Sequence, residues 1–432
     1  MFEKKKKIII LLIDNPITAL FMLGWLKQNN LDKDDNYEIV SFYCTIDYDD
    51  SYSKKIDSKK TIYENNCKRI MSPIQTKWIS CSEPGYYIDR FSLTPFSFYK
   101  LNQERKLKKL YLHKIKTALK TKNISMQNIQ QVWRGTSGFG SFFRYLCPRA
   151  EFSKFEHGLS DTCINTPEPL FPKNLSLPKK TNRKIYWWIY NHLAYFNFSY
   201  LNYEFDSYIS LLGEERKKTT PAYENSIKSI KLSFIHKALS IVNKQFNLSL
   251  LQKNISGASA VILLHNIKPW AKNPNDHLLF FQAFEKHLIN SYSKIFRQNQ
   301  IKTLIFKSRL FHEEFNKEGF NNFSQLKKEY YLLFLSDLSK ENLPTEFYLD
   351  TIKPVVLIGD YSSGLFYSKK LYPNIKTYSY HPWFINYTTQ TFDATFPDHS
   401  WLEKTFHGVL QNEFKHILPT IISTQTNKPK QT

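Results

Sequence analysis

Six consecutive apolar residues, Ile8-Ile9-Ile10-Leu11-Leu12-Ile13, follow the basic run at 4–7. A short unbroken apolar run is the pattern of a strand buried on both faces. Asn15 and Pro16 come next, a capping residue followed by a proline suited to a first helical turn. Ile17, Leu20, Phe21, Leu23 and Leu26 then recur at near-helical spacing, and residues 37–46 predict a second strand. This β-α-β opening predicts a doubly wound parallel sheet.

The alternation continues. A basic amphipathic helix is predicted over 105–122, strands over 130–133 and 150–155, and a helix over 142–146. Pro167, Pro169, Pro172 and Pro178 mark an irregular edge. A helical segment at 226–245 leads into a second series: strand 258–264, helix 278–297, strand 304–306, helix 323–335, strand 355–358, a helix from 365, and strand 376–380. Helical stretches over 401–417 are expected to fold back over the first domain. The expected organisation is α/β. It has a Rossmann-like domain at 1–175, an aromatic and helical connecting region at 176–255, a second Rossmann-like domain at 256–390, and C-terminal helices and tail at 391–432. No G-x-G-x-x-G occurs, so a dinucleotide is not indicated and no cofactor is expected.

Composition adds limits. At 432 residues the chain exceeds one core, and 42% hydrophobic with 16% aromatic residues argues against disorder. The formal net charge of +22 predicts attraction to polyanions: nucleic acid, anionic head groups, or acidic nucleotide-linked and polysaccharide substrates. The charge is spread out and no zinc-finger, RNP-like or helix-turn-helix pattern accompanies it, so nucleic acid is not the expected partner. Cys44, Cys67, Cys81, Cys147 and Cys163 are widely spaced without a C-x-x-C pair, which suggests neither a disulfide framework nor a zinc site. A reducing, cytoplasmic compartment is the expectation. The apolar run at 8–13 is too short for a signal peptide, and no stretch of 18 clean apolar residues exists. Residues 185–203 are crowded with Trp and Tyr and flanked by Lys179, Lys180, Arg183 and Lys184. That pattern suits either an aromatic interdomain surface or peripheral contact with an anionic membrane. Asp47-x-Asp49 reads as a polar loop rather than a metal carrier, and no metal is expected.

The candidate chemistry lies at strand exits, where open α/β sheets bind ligands. Phe155 is followed by Glu156, His157 and Gly158, an acid and an imidazole beside a residue that tolerates φ > 0. Gly135-Thr136-Ser137-Gly138 offers backbone amides for a carboxylate or phosphate, making Thr136, Ser137 and His157 acceptor-side candidates. In the second half, exits carry Lys307-Ser308-Arg309, Gly359-Asp360-Tyr361-Ser362-Ser363-Gly364 and His381-Pro382. His265, after strand 258–264, reads as a satisfied structural histidine.

Phe155-Glu156-His157-Gly158-Leu159 resembles the acidic-x-Gly motif of bacterial GT-B sialyltransferases and capsular polysialyltransferases. Pro344-Thr345-Glu346-Phe347, followed by Gly359-Asp360-Tyr361-Ser362-Ser363, resembles their later Glu and Ser-Ser elements. The order matches from about Ile8 to Pro382. The resemblance implies a GT-B fold, two Rossmann-like domains facing a central cleft, with acceptor on the first half and sugar nucleotide on the second. It implies metal-independent, inverting transfer of sialic acid or a related nonulosonic acid from a CMP-activated donor. The acceptor would be an anionic glycan or lipid-linked glycan of capsule or lipopolysaccharide, at the inner face of the bacterial inner membrane. Glu156 would be the general base, Ser362 and Ser363 would hold the CMP phosphate, and Glu346 would bind cytidine or ribose. Lys307, Arg309 and a histidine would neutralise the departing CMP. One departure stands out: the family's Lys-x-His-Pro is replaced by Lys307-Ser308-Arg309-Leu310-Phe311-His312, and the His-Pro that follows is His381-Pro382. Arg309, His312 and His381 are therefore alternative cations. The competing readings are the same fold with CMP-Kdo or a UDP- or GDP-sugar and, from another class, a basic nucleic-acid-binding protein.

Overall fold

The computed structural model describes residues 6–47, 53–84, 109–135, 139–156, 205–219, 221–265, 267, 271, 273–308, 313–360, 362–392 and 415–422. The chain divides into two compact units, Met1–Ala238 and Leu239–Thr432, and the division falls inside the helix Leu232–Gln245.

The first unit holds seven strands: β1 (Lys7–Ile13), β2 (Tyr37–Asp47), β3 (Thr76–Pro84), β4 (Ile129–Arg134), β5 (Glu151–Phe155), β6 (Ser207–Ser210) and β7 (Ile227–Ser229). Their order is β3-β2-β1-β4-β5-β6-β7, and every pairing is parallel. β1 lies between β2 and β4, and Ile8 to Ile13 are at most 2% exposed. At about 1.5–3 kcal/mol per buried aliphatic side chain, this strand alone contributes on the order of 10 kcal/mol, comparable to a whole domain's net stability. The helix Pro16–Gln28 begins as the sequence predicts, with the Asn15 side chain accepting from Thr18 N at 3.0 Å. It approaches the helix Leu232–Gln245 so closely that a Cβ on Gly24 would lie 2.7 Å from Ile235 Cδ1.

The second unit repeats the plan with β8 (Ala258–Leu263), β9 (Ile301–Lys307), β10 (Tyr331–Phe334), β11 (Val356–Gly359), β12 (Lys376–Ser379) and β13 (Thr420–Ile421). The order is β10-β9-β8-β11-β12-β13, again parallel throughout. The chain is thus a two-domain Rossmann-like α/β protein, as the alternation predicts. The helix Pro274–Gln298 covers this sheet with Phe280, Phe284, Leu288, Tyr292 and Phe296, one residue every four, all buried. Its start carries a capping box, Asn273 with Asp276, and Pro274 in the first turn.

Two helix predictions are corrected. Residues 226–245 split into β7 and the helix Leu232–Gln245, because Ile227 to Ser229 pair with Tyr208 to Ser210 of β6. Residues 323–335 split around β10, because Tyr331 to Phe334 pair with Thr303 to Phe306 of β9 and complete the sheet. Tertiary pairing overrides the local pattern there. The stretch 185–203, Asp49 and residues 401–414 lie outside the described residues, as does the side chain of Asp47. Near the end of the chain, β13 joins β12 in the second sheet. No helix among the described residues is long and apolar enough to cross a membrane. Cys44, Cys67, Cys81 and Cys147 form no disulfide there.

Candidate functional site

In the second sheet β8 lies between β9 and β11, so the connections leaving β8 and β11 diverge at their carboxyl ends. That switch point is where open parallel sheets bind ligands. His265 follows β8, Asp360 follows β11 and His381 follows β12. The three side chains meet. His265 Nδ1 lies 2.6 Å from Asp360 Oδ2, and His381 Nδ1 contacts Asp360 Oδ1. Burial alone would push the Asp360 carboxyl up, but the charges and hydrogen bonds of His265 and His381 outweigh it and hold it well below the usual carboxylate range. The β12 exit is tied to the end of β8 by Tyr380 OH donating to Leu263 O at 2.6 Å, and within the β12 exit His381 N donates to Ser379 Oγ at 3.2 Å.

Two residues past Asp360, Ser362 caps the helix Ser363–Leu371, its Oγ accepting from Leu365 N at 3.3 Å. A helix N-terminus presents unpaired amides and the positive end of the macrodipole to an anion. A Cβ on Gly364 would lie 3.7 Å from Glu346 Oε1 and 3.8 Å from Ser362 Oγ, so Glu346 stands against this helix start. Glu346 is 3% exposed. On the β9 side, Lys307 is buried, and its Nζ donates to Ser308 O and Asn342 Oδ1, each at 2.9 Å. The ammonium also lies 5.8 Å from the Tyr348 ring centroid. Asn342 in turn donates to Glu313, and Asn316 to Ser308 Oγ at 2.7 Å.

The structure therefore brings His381, Glu346, Ser362 and Lys307 to one sheet edge. Arg309, His312, Thr136, Ser137 and His157 lie outside the described residues, as does the side chain of Ser363. Asp360 carries no role in the sequence reading, and His265 reads there as structural. The available signal was a titratable residue just beyond each of two strands, but only the topology makes those strands neighbours. Among the described residues no group of three or more His, Cys, Asp and Glu is arranged to hold a metal ion.

Glu156 belongs to the first unit and is fully buried. Its backbone N donates to Ile209 O at 2.9 Å. Its Oε2 accepts from Ser210 Oγ at 2.6 Å and from Leu211 N at 3.2 Å, and Oε1 lies 4.0 Å from Arg216 Nε. Arg216 is itself 4% exposed and stacks over Tyr208, 4.4 Å from its centroid. The carboxylate thus fastens the exit of β6 to the end of β5. Both hydrogen bonds fall on Oε2, and Oε1 faces the Arg216 guanidinium.

Two buried groups of the second unit titrate in opposite senses. Burial pushes the Glu346 carboxyl up from 4.5 to about 7, against the pull of the Lys307 ammonium. Burial pushes the His287 imidazole, stacked 4.5 Å from Trp383, down from 6.5 to about 4. Glu346 therefore keeps its proton longer in the folded chain, and its contribution falls as pH rises from 4.5 to about 7. His287 refuses its proton, and its contribution falls as pH drops from 6.5 to about 4. Each is worth about 3 kcal/mol at ~1.4 kcal/mol per pKa unit, so the two slopes nearly cancel where they overlap. His287→Phe is expected to leave a melting temperature that falls with rising pH, and Glu346→Gln one that rises with it. Scanning calorimetry across this range checks both, and parallel profiles in all three proteins would contradict the assignment.

No family model matches the chain, and no curated protein matches it in sequence. Among solved structures it is similar to a sialyltransferase from Photobacterium damsela, at 11% identity over 97% of this chain and 82% of that one, with a TM-score of 0.45. It is also similar to a UDP-GlcNAc 2-epimerase from Methanocaldococcus jannaschii, at 12% identity over 94% and 93% of the two chains, with a TM-score of 0.43. A third likeness is to E. coli ADP-heptose lps heptosyltransferase II, at 8% identity over 86% and 83%, with a TM-score of 0.33.

Proposed function

We propose that this protein is an inverting, metal-independent glycosyltransferase that moves sialic acid or a related nonulosonic acid from a CMP-activated donor to a glycan acceptor. The observation that carries the reading is the convergence at the switch point: a helix start capped by Ser362, beside Glu346, Asp360 and His381. It joins the resemblance of the Glu-His-Gly, Glu346 and Ser-Ser elements to the bacterial sialyltransferases.

In this reading the second unit takes the donor. Ser362 and Ser363 meet the phosphate at the helix start, and Lys307, Arg309, His312 or His381 offset its charge as CMP leaves. A carboxyl near 7, such as Glu346, both donates and accepts around neutral pH, which suits a ribose or cytosine edge. The first unit takes the acceptor through Thr136, Ser137 and His157. Glu156 removes the acceptor hydroxyl's proton while Ser210 and Leu211 hold its other oxygen. The acceptor oxygen bonds to the anomeric carbon as the bond from that carbon to the phosphate oxygen breaks, its electron pair leaving with CMP. The surplus of basic residues favours an anionic glycan or lipid-linked acceptor of capsule or lipopolysaccharide, met at a negatively charged inner-membrane face.

A second reading keeps the fold and changes the donor to CMP-Kdo or a UDP- or GDP-sugar, because Glu346 is the one base-reading or ribose-reading side chain assigned. A thermal-shift panel of CMP, UMP, UDP and GDP separates them. A ligand that binds only the folded state adds about 2.7 kcal/mol at 100 times its Kd, a shift of several degrees. CMP is expected to give the largest shift. A larger shift with UDP or GDP would move the assignment to that donor. No shift with any nucleotide, together with steeply salt-dependent binding to nucleic acid, would replace the enzyme reading.

A further inference from the structure

Asp360 sits at the centre of an arrangement that the donor reading uses only in part. Its two oxygens are divided between two imidazoles: Oδ2 faces His265 Nδ1 and Oδ1 faces His381 Nδ1. The three residues come from three strand exits, β8, β11 and β12, whose order puts them side by side at the switch point. The backbone forces the meeting. Leu264 N makes a last sheet bond to Lys307 O at 2.8 Å, and His265 is the next residue out. A Cβ on Gly359 would lie 3.2 Å from Leu263 Cδ1, so the β8 and β11 exits run close together just below the cluster.

Burial is graded across the three. The side chains of Asp360 and His381 are 10% and 9% exposed, whereas that of His265 is 32% exposed. His265 is thus the open member of the cluster, with its ring 4.3 Å from that of Phe384. Because an ionised carboxylate can only accept, the contacts assign Nδ1–H of each imidazole to Asp360 and leave Nε2 to take up or give a proton. A carboxylate behind an imidazole fixes its tautomer and supports the imidazolium. Here one carboxylate supports two. With both imidazoles protonated the trio carries one net positive charge, and with one protonated it is neutral.

We propose that His265 is a second phosphate-facing imidazole beside His381, and that Asp360 is the positioning residue that sets both with Nε2 toward the donor phosphate. The inference rests on the donor reading above and deepens it. In the transfer, the electron pair of the breaking carbon–oxygen bond goes to the phosphate oxygen of CMP. That oxygen receives an Nε2 proton from His265 or His381, while the acceptor hydroxyl's proton goes to the base, so protons balance.

Two measurements test this. Side-chain 15N spectra of histidine-labelled protein report which ring nitrogen carries the proton, independently of activity. His265 and His381 are expected to show protonated Nδ1, and Asp360→Asn is expected to shift both resonances while the fold survives. Nε2–H neutral tautomers at both in the wild type would overturn the positioning role. CMP titration supplies the second readout. His265→Asn and His381→Asn are each expected to weaken CMP about tenfold, the usual loss of a hydrogen bond to a charged group. His265→Gln serves as the second variant should His265→Asn fold poorly. Wild type that binds CMP together with a His265 variant that binds it equally well overturns the second-imidazole role and leaves the donor reading standing. Wild type that binds no nucleotide overturns the donor reading, and the phosphate role with it.

Discussion

Glu156→Gln is expected to cost about 3–5 kcal/mol of stability and to lower kcat by about 100–10,000-fold, with CMP affinity unchanged. The stability loss follows from the network. The substituted amide still accepts at one atom, but its NH2 end faces a partner that also donates, and the buried Arg216 loses the carboxylate charge 4.0 Å from its Nε. The kcat loss follows only from the base role, because an anchor can be weakened without touching proton transfer. Denaturant unfolding and steady-state kinetics at a temperature where the variant remains folded separate the two. A destabilised protein that keeps its kcat makes Glu156 an anchor alone, and His157, the adjacent imidazole, then becomes the base to test. Ser210→Ala gives the control: it removes one donor to Glu156 and leaves the carboxylate in place.

Ser362→Asp is expected to weaken CMP by about 100-fold or more while leaving the melting temperature unchanged or higher. Aspartate is as good an N-cap as serine, and its charge suits the helix N-terminus, so the cap to Leu365 N survives. The same charge placed against a phosphate costs several kcal/mol by like-charge repulsion. The opposite signs matter. Ser362→Ala would remove cap and ligand contact together and leave a fall in affinity ambiguous. Isothermal titration with CMP, beside a thermal melt without ligand, reads both quantities. Unchanged CMP affinity in the aspartate variant would confine Ser362 to capping.

Much of the fold was legible in the chain. The six-residue apolar run of β1 reads as a strand buried on both faces, and Asn15-Pro16 signals the helix that follows it. What local pattern could not carry was β10 and β7. Tyr331-Leu332-Leu333-Phe334 continues a helical spacing and becomes a strand only because β9 offers an open edge. Strand order was likewise hidden. Ser362 and His381 were visible as residues at strand exits, yet nothing in their spacing shows that β8 lies beside β11. Asp360 and His265 were missed for this reason, because their meaning is a contact across 95 residues. Glu156 shows the converse. Its place at the end of β5 was readable, but its engagement with Ser210, Leu211 and Arg216 depends on a strand 54 residues further along.

The measurement that bears most directly on the account is transfer itself: purified protein, CMP-sialic acid, a sialylated glycan acceptor and excess EDTA, with released CMP and extended product followed by mass spectrometry. The account predicts CMP and product in equal amounts, undiminished by EDTA. A requirement for added divalent metal would contradict the metal-independent mechanism and return attention to Asp47 and Asp49. Absence of turnover with CMP-sialic acid, alongside turnover with a UDP- or GDP-sugar, would contradict the central claim.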